Sequence, residues 1–258
     1  MMRWRVSGRK ARRAVLFTLA LGSLTAAERT ILAIGAHAGD AEITTGAVLA
    51  AHKQLGDRIV IAHLTPGEGG NPKLSVEAYG AQKRREAGEA AKSLGAEVIF
   101  GPYRDGEIPN TDEARRWVAD LIRQVKPTHI FTHWKKSIHK DHSVTHAVVV
   151  DAVLLASLEG FKTDHPVHRG IRGVYYAENW EDPEDFKPYL YFDVSESLAA
   201  WKAAVTKYQF IRGGVSSYPY LEYYEALARV RGAEAGKRFA VAFDIESMSK
   251  KRVLSSLP

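Results

Sequence analysis

The sequence predicts an α/β fold, a Rossmann-like three-layer α/β/α sandwich with a mainly parallel sheet, and three observations carry that prediction. From Thr30 onward, short apolar runs alternate with longer amphipathic stretches, the pattern of successive βα units. The longer stretches close on turn signals such as Gly95, and a Gly-rich loop follows the second apolar run. No internal repeat or low-complexity linker divides the 258 residues, a length that one α/β sheet can use as a single domain.

Taken in order, Ile31 to Ala36 is the first strand, and Glu42 to Leu55 a helix whose Ile43, Ala47, Val48 and Ala51 form one apolar stripe. Arg58 to Leu64 is the second strand, followed by the loop Thr65-Pro66-Gly67-Glu68-Gly69-Gly70-Asn71-Pro72 and a long helix from Ser75 to Leu94. Glu97 to Phe100 is the third strand, Thr111 to Val125 a helix capped by Thr111, and His129 to His133 the fourth strand, ahead of a helix from Lys140. Further on, the pattern gives strands at Gly173 to Ala177, Tyr189 to Val194 and Arg238 to Phe243, with helices at Ser195 to Phe210 and Tyr220 to Arg231. The first four strands are expected in the order 3-2-1-4.

The formal charge of +6 sits in the first 27 residues, which hold Arg3, Arg5, Arg9, Lys10, Arg12 and Arg13 and no acid. The rest of the chain is neutral, which argues against binding to a phosphate backbone, so no nucleic-acid partner is expected. The basic start, the apolar run Ala14 to Leu21, and small residues Thr25 and Ala27 read as a signal peptide over residues 1–27. An N-terminal helix packed on the domain or an uncleaved anchor are the alternatives, and Arg12-Arg13 also allows a twin-arginine signal. The expectation is an exported protein, periplasmic or extracellular, with residues 28–258 as one domain and membrane contact only through an uncleaved leader. The absence of cysteine leaves histidine and carboxylate as metal ligands.

In open parallel sheets, ligands sit outside the carboxyl ends of the strands, where loops converge. His37 and Asp40 lie there after strand one, three residues apart across a tight turn. His139-Lys140-Asp141-His142 follows strand four, the neighbour of strand one in the expected order. Two histidines and one carboxylate with an open position is a catalytic rather than a structural zinc arrangement. Such a site lowers the pKa of water and polarises a carbonyl, as amide hydrolysis requires. Zinc is the default, and Fe2+ or another divalent ion fits the same donors.

Ile34-Gly35-Ala36-His37-Ala38-Gly39-Asp40-Ala41-Glu42, Thr65-Pro66-Gly67-Glu68, Glu86 with Ala90-Ala91 and Leu94-Gly95, and His139-x-Asp141-His142 together resemble the LmbE-like/PIG-L zinc N-deacetylases. The resemblance covers about residues 30 to 160. It implies an enzyme that removes acetyl from an N-acetylglucosamine conjugate, a small-molecule amino-sugar substrate. It also implies that His37, Asp40 and His142 hold the metal, that His139 steadies the tetrahedral oxyanion, and that Asp141 tunes His139. This chain departs from the family's A-H-P-D-D in its first motif, and Gly39 stands where the family has its general base. Asp141, Glu68 and Glu42 are the candidates to replace it, with Asp141 favoured for its place between two site histidines. Asp141 as a helix cap or a partner of His142, and Glu68 as a turn residue, remain open.

Lys83 occupies the place of a family arginine that contacts substrate, so Lys83 and Glu68 are the expected substrate-binding residues. A solvated helix face is the other reading of Lys83-Arg84-Arg85-Glu86. Tyr175, Tyr176, Trp180, Tyr189 and Tyr191 offer stacking surfaces or core, and His146 is expected outside the ligand set. The expected function is metal-dependent deacetylation. The competing expectation is a catalytically reduced relative that keeps the metal and serves as a carbohydrate-binding or accessory domain. A nucleotide-binding Rossmann protein is disfavoured because no G-x-G-x-x-G follows strand one.

Overall fold

Continuous apolar runs such as Ile31-Leu32-Ala33-Ile34 form strands buried on both faces, because each successive side chain points into the opposite helix layer. In the computed structural model, which describes residues 29–182 and 184–251, Ile31, Ala33, Ile59 and Ile61 enter one core. Leu32, Ile34, Val60 and Ala62 enter the other. The expected leader at residues 1–27 lies outside the described residues.

The strands are β1 (Thr30–His37), β2 (Arg58–Thr65), β3 (Glu97–Phe100), β4 (His129–His133), β5 (Gly173–Ala177), β6 (Leu190–Asp193) and β7 (Ala240–Asp244). They form one sheet ordered β3-β2-β1-β4-β5-β7-β6, so the expected 3-2-1-4 order is present. The pairs from β3 through β5 are parallel, and β7 runs antiparallel to both its neighbours. Helices α1 (Asp40–Gln54), α2 (Val76–Leu94), α5 (Leu198–Val205) and α6 (Tyr220–Glu234) pack on one face. Helices α3 (Asp112–Val125) and α4 (Lys140–Ala156) cover the other. The result is a three-layer α/β sandwich.

Local chemistry fixes the helix ends near the site. The Ser75 hydroxyl accepts the Ala78 N–H and Gly95 turns left-handed at φ 64°, bounding α2; Thr111 accepts the Ala114 N–H at the start of α3. The helix expected over Ser195 to Phe210 is shorter, ending at Val205. Beyond it the chain turns back toward α1, and the buried Tyr208 hydroxyl donates to Glu42 Oε1 at 2.7 Å. That turn carries Phe210 toward the carboxyl end of β1. Among the described residues, no helix is long and apolar enough to cross a membrane.

Candidate metal centre

Where β1 stops and α1 begins, Ala38 and Gly39 make a turn that returns Asp40 to His37. Gly39 sits at φ 111°, a conformation that favours glycine because a Cβ is strained there. Asp40 Oδ2 accepts the backbone N–H of His37 at 2.7 Å and lies 3.2 Å from His37 Nδ1. From the first turn of α4, across the switch between β1 and β4, His142 Nε2 comes within 3.4 Å of the same oxygen. His37, Asp40 and His142 are thus brought together.

The outer nitrogens of both histidines are covered by acids. His37 Nε2 lies 3.1 Å from Asp105 Oδ1 and 3.3 Å from Asp141 Oδ2. His142 Nδ1 lies 3.4 Å from Glu181 Oε2, with Ser137 Oγ at 3.3 Å and Asp182 Oδ1 at 3.9 Å. Burial alone would strip the proton from each imidazole, but the acids outweigh it. His37 is held well above its ordinary value by Asp40, Asp105 and Asp141, and His142 is raised to about 9 by Asp40 and Asp182. Burial opposes ionisation of Asp40 too, yet His142 and His37 keep it well below the usual range. A buried cluster that holds two imidazolium protons against desolvation has the charge a divalent cation would satisfy. The inward nitrogens His37 Nδ1 and His142 Nε2 with Asp40 Oδ2 would be the donors to such an ion, and each histidine has an outer carboxylate of the kind that orients metal-bound imidazole. The residues present fit a divalent metal.

His133, at the end of β4, stacks on His142 with centroids 4.1 Å apart and lies 3.3 Å from Asp40 Oδ2. Its Nε2 accepts the Ala36 N–H at 2.9 Å, and burial with the nearby His142 pushes its pKa down to about 4. That nitrogen is engaged by the backbone, yet Asp40, His133 and His142 lie close enough together to hold an ion between them. His146 donates from Nδ1 to the His133 carbonyl at 2.9 Å, outside the donor set.

His139 caps α4: its Nδ1 accepts the Asp141 N–H at 3.2 Å. Burial and the charges of His37 and His142 lower its pKa, so the neutral ring carries its proton on Nε2. Its ring stands 4.6 Å from that of His37 and lines the pocket. Asp141 is fully buried behind His37, accepting the Gly106 N–H at 2.7 Å, and does not line the pocket. Its carboxylate serves His37, whereas the expectation had it tune His139 and favoured it as base. Glu42 is likewise remote, buried between Tyr208 and His63. Glu68, expected to bind substrate, turns under the loop instead, because its Oε1 accepts the Asp105 N–H at 3.2 Å.

Lys83 does line the pocket, with its Nζ donating to the Ala38 carbonyl, so it is not on a solvated face. The pocket holds about 200 Å³, small enough to suit a small polar ligand. Tyr79, Trp180, Phe210 and Tyr220 give it aromatic walls, and Asn179 adds an amide. Of the five aromatics singled out in the sequence, Trp180 is the one in the lining. Sequence reasoning missed His133, Asp105, Glu181 and Asp182. His133 ends β4, and Asp105, Glu181 and Asp182 follow β3 and β5 at the same carboxyl edge, a signal that was present.

Residues 32–153 match the family described as PIG-L: GlcNAc-PI de-N-acetylase. The chain is 24% identical over 223 residues to 4-oxalmesaconate hydratase of Pseudomonas putida, covering 83% of this chain and 84% of the relative. It is 30% identical over 167 residues to 1D-myo-inositol 2-acetamido-2-deoxy-alpha-D-glucopyranoside deacetylase of Salinispora arenicola. That match covers 53% of this chain and spans 54% of the relative's length. Among solved structures, N,N'-diacetylchitobiose deacetylase from Pyrococcus horikoshii has a TM-score of 0.73 at 21% identity, over 84% of each chain. The PIG-L match runs from β1 into α4, the elements that bring His37, Asp40 and His142 together, so this part of the chain resembles that family.

Proposed function

We propose that this protein is a metal-dependent hydrolase that removes the acetyl group from a small amino-sugar conjugate. One observation carries the reading: both histidines flanking Asp40 turn one nitrogen to its carboxylate and the other to an outer acid. When bound at His37, Asp40 and His142, a divalent ion, zinc by default, activates water and polarises the amide carbonyl. The neutral His139 has its Nε2–H available to donate to the oxyanion that forms as water adds, and the Asp141 N–H on Nδ1 keeps that tautomer in place. Trp180 and Phe210 offer faces on which a sugar ring stacks, and Asn179 offers hydrogen bonds to hydroxyl groups. Relatives named as deacetylases of N-acetylated sugars support the substrate class.

A second reading, hydration of a carbon–carbon double bond, is favoured by the alignment with the Pseudomonas putida hydratase, which covers more of this chain than that with the Salinispora arenicola deacetylase. Acetate release from N-acetylglucosamine conjugates, measured beside hydration of an unsaturated oxo-tricarboxylate, separates the two. Wild-type protein with bound metal should release acetate, and His142→Ala should lose both metal and activity. Hydration without acetate release would refute the deacetylase reading. The leader supports export, which sequencing the N-terminus of the protein recovered outside the cytoplasm would test.

A further inference from the structure

Hydrolysis by an activated water needs a proton acceptor, and the turn between His37 and Asp40 supplies none, since it is Ala38-Gly39. Among the pocket's carboxylates, Asp40 faces both histidines. Glu181, its pKa raised by burial, sets Oε2 3.4 Å from His142 Nδ1, the nitrogen turned away from Asp40, with no hydrogen-bond partner of its own. Asp105 is held by His37 at about 2 and also accepts the Gly69 N–H.

Lys83 is different. It is 5% exposed, its Nζ donates to the Ala38 carbonyl, and it stands 4.1 Å over the Phe210 ring and 5.2 Å from that of Tyr208. Among the described residues no acid forms an ion pair with it. Asp40 and Glu42 from α1, Glu86 from its own helix and Asp105 from the loop after β3 face it at longer range. Burial outweighs their attraction and lowers its pKa to about 8, because an ammonium without a close counter-ion is costly in a desolvated site. The rings of Phe210 and Tyr208 offset only part of that cost.

We propose that Lys83 is the proton acceptor of this site, an assignment that rests on the hydrolase reading. The neutral Nζ takes a proton from the attacking water as the new C–O bond forms at the acetyl carbon. The resulting ammonium returns that proton to the amide nitrogen as the C–N bond breaks. One amide and one water become one carboxylic acid and one amine, and Lys83 ends neutral.

The test compares two substitutions and a titration. Lys83→Met and Lys83→Arg should both keep their metal content and lose about 10²- to 10⁴-fold in kcat, because arginine cannot act as a base. If Lys83 only anchors substrate by its charge, Lys83→Arg keeps kcat and changes KM, which overturns the proposal. The Lys83 13Cε resonance of metal-loaded wild-type protein, assigned through Lys83→Arg, should titrate below about 9, against about 10.4 for a free lysine. A midpoint above about 10 overturns the proposal whether or not a substrate is known. Titration below about 9 in a protein that deacetylates nothing supports the acceptor and sinks the deacetylase reading alone.

Discussion

Restoring a side chain at position 39 is the natural experiment, and the structure predicts that it fails in isolation. A Cβ built on Gly39 lies 2.8 Å from Phe210 Cζ and 3.0 Å from Cε1, closer than packed carbons approach. The backbone adds its own strain, since φ is 111°. Holding a non-glycine residue there costs about 1–3 kcal/mol, and forcing the ring aside costs about 1–3 kcal/mol more. Gly39→Ala should therefore lose about 2–6 kcal/mol, or roughly 5–20 °C in melting temperature for a chain of this size. Denaturation by urea, followed by circular dichroism, gives the free energies for a cycle of Gly39→Ala, Phe210→Ala and the pair.

In the Phe210→Ala background the clash is gone, so the cost of Gly39→Ala should fall to the backbone part, leaving a coupling of about 1 kcal/mol or more. Gly39→Asp alone should be similarly destabilised, and the carboxylate becomes accommodated only when Phe210 is shortened. A Gly39→Ala protein within about 0.5 kcal/mol of wild type, or equal costs in both backgrounds, would refute the assignment of Phe210 as the occupant of that space.

Three further expectations follow from buried charge. Lys83 sheds its proton near 8 in the folded metal-free protein and near its ordinary value when unfolded, so between these pH values the unfolded chain binds more protons and stability rises with pH. The gain approaches about 3 kcal/mol and should be missing in Lys83→Met, so parallel pH profiles of the two proteins would contradict it. Asp105→Asn removes the carboxylate 3.1 Å from His37 Nε2 and should weaken metal affinity about 10- to 100-fold in competition with a chelator; unchanged affinity would leave Asp105 no part in the centre. Arg123, 2% exposed, donates to the carbonyls of Leu155, Ala156 and Leu158 where α4 ends. Arg123→Met strands those acceptors and should cost about 3 kcal/mol or more in urea denaturation, with metal content unchanged, and a loss below about 1 kcal/mol would contradict the role.

The strands and the meeting of His37, Asp40 and His142 were legible because both depend on short-range pattern. Strands buried on two faces must be continuous runs, and the order of β1 and β4 places His37, Asp40 and His142 at one edge. Side-chain direction in loops is another matter. Glu68 stands at a motif position, yet the unpaired N–H of Asp105 takes its carboxylate away from the pocket. Asp141 lies between two site histidines in sequence, but the Gly106 N–H and His37 hold it behind His37 and out of the pocket lining. Neither partner is visible from local spacing, because each depends on where the loop after β3 lands. The same holds for Gly39. In sequence it reads as a lost carboxylate; in the fold, Phe210 arrives from more than 150 residues away to occupy the space, and Lys83 lies 3.8 Å from where a Cβ would be. A glycine there is thus one part of a three-residue arrangement, in which the ring excludes an acid and the absent acid leaves a buried amine able to be neutral.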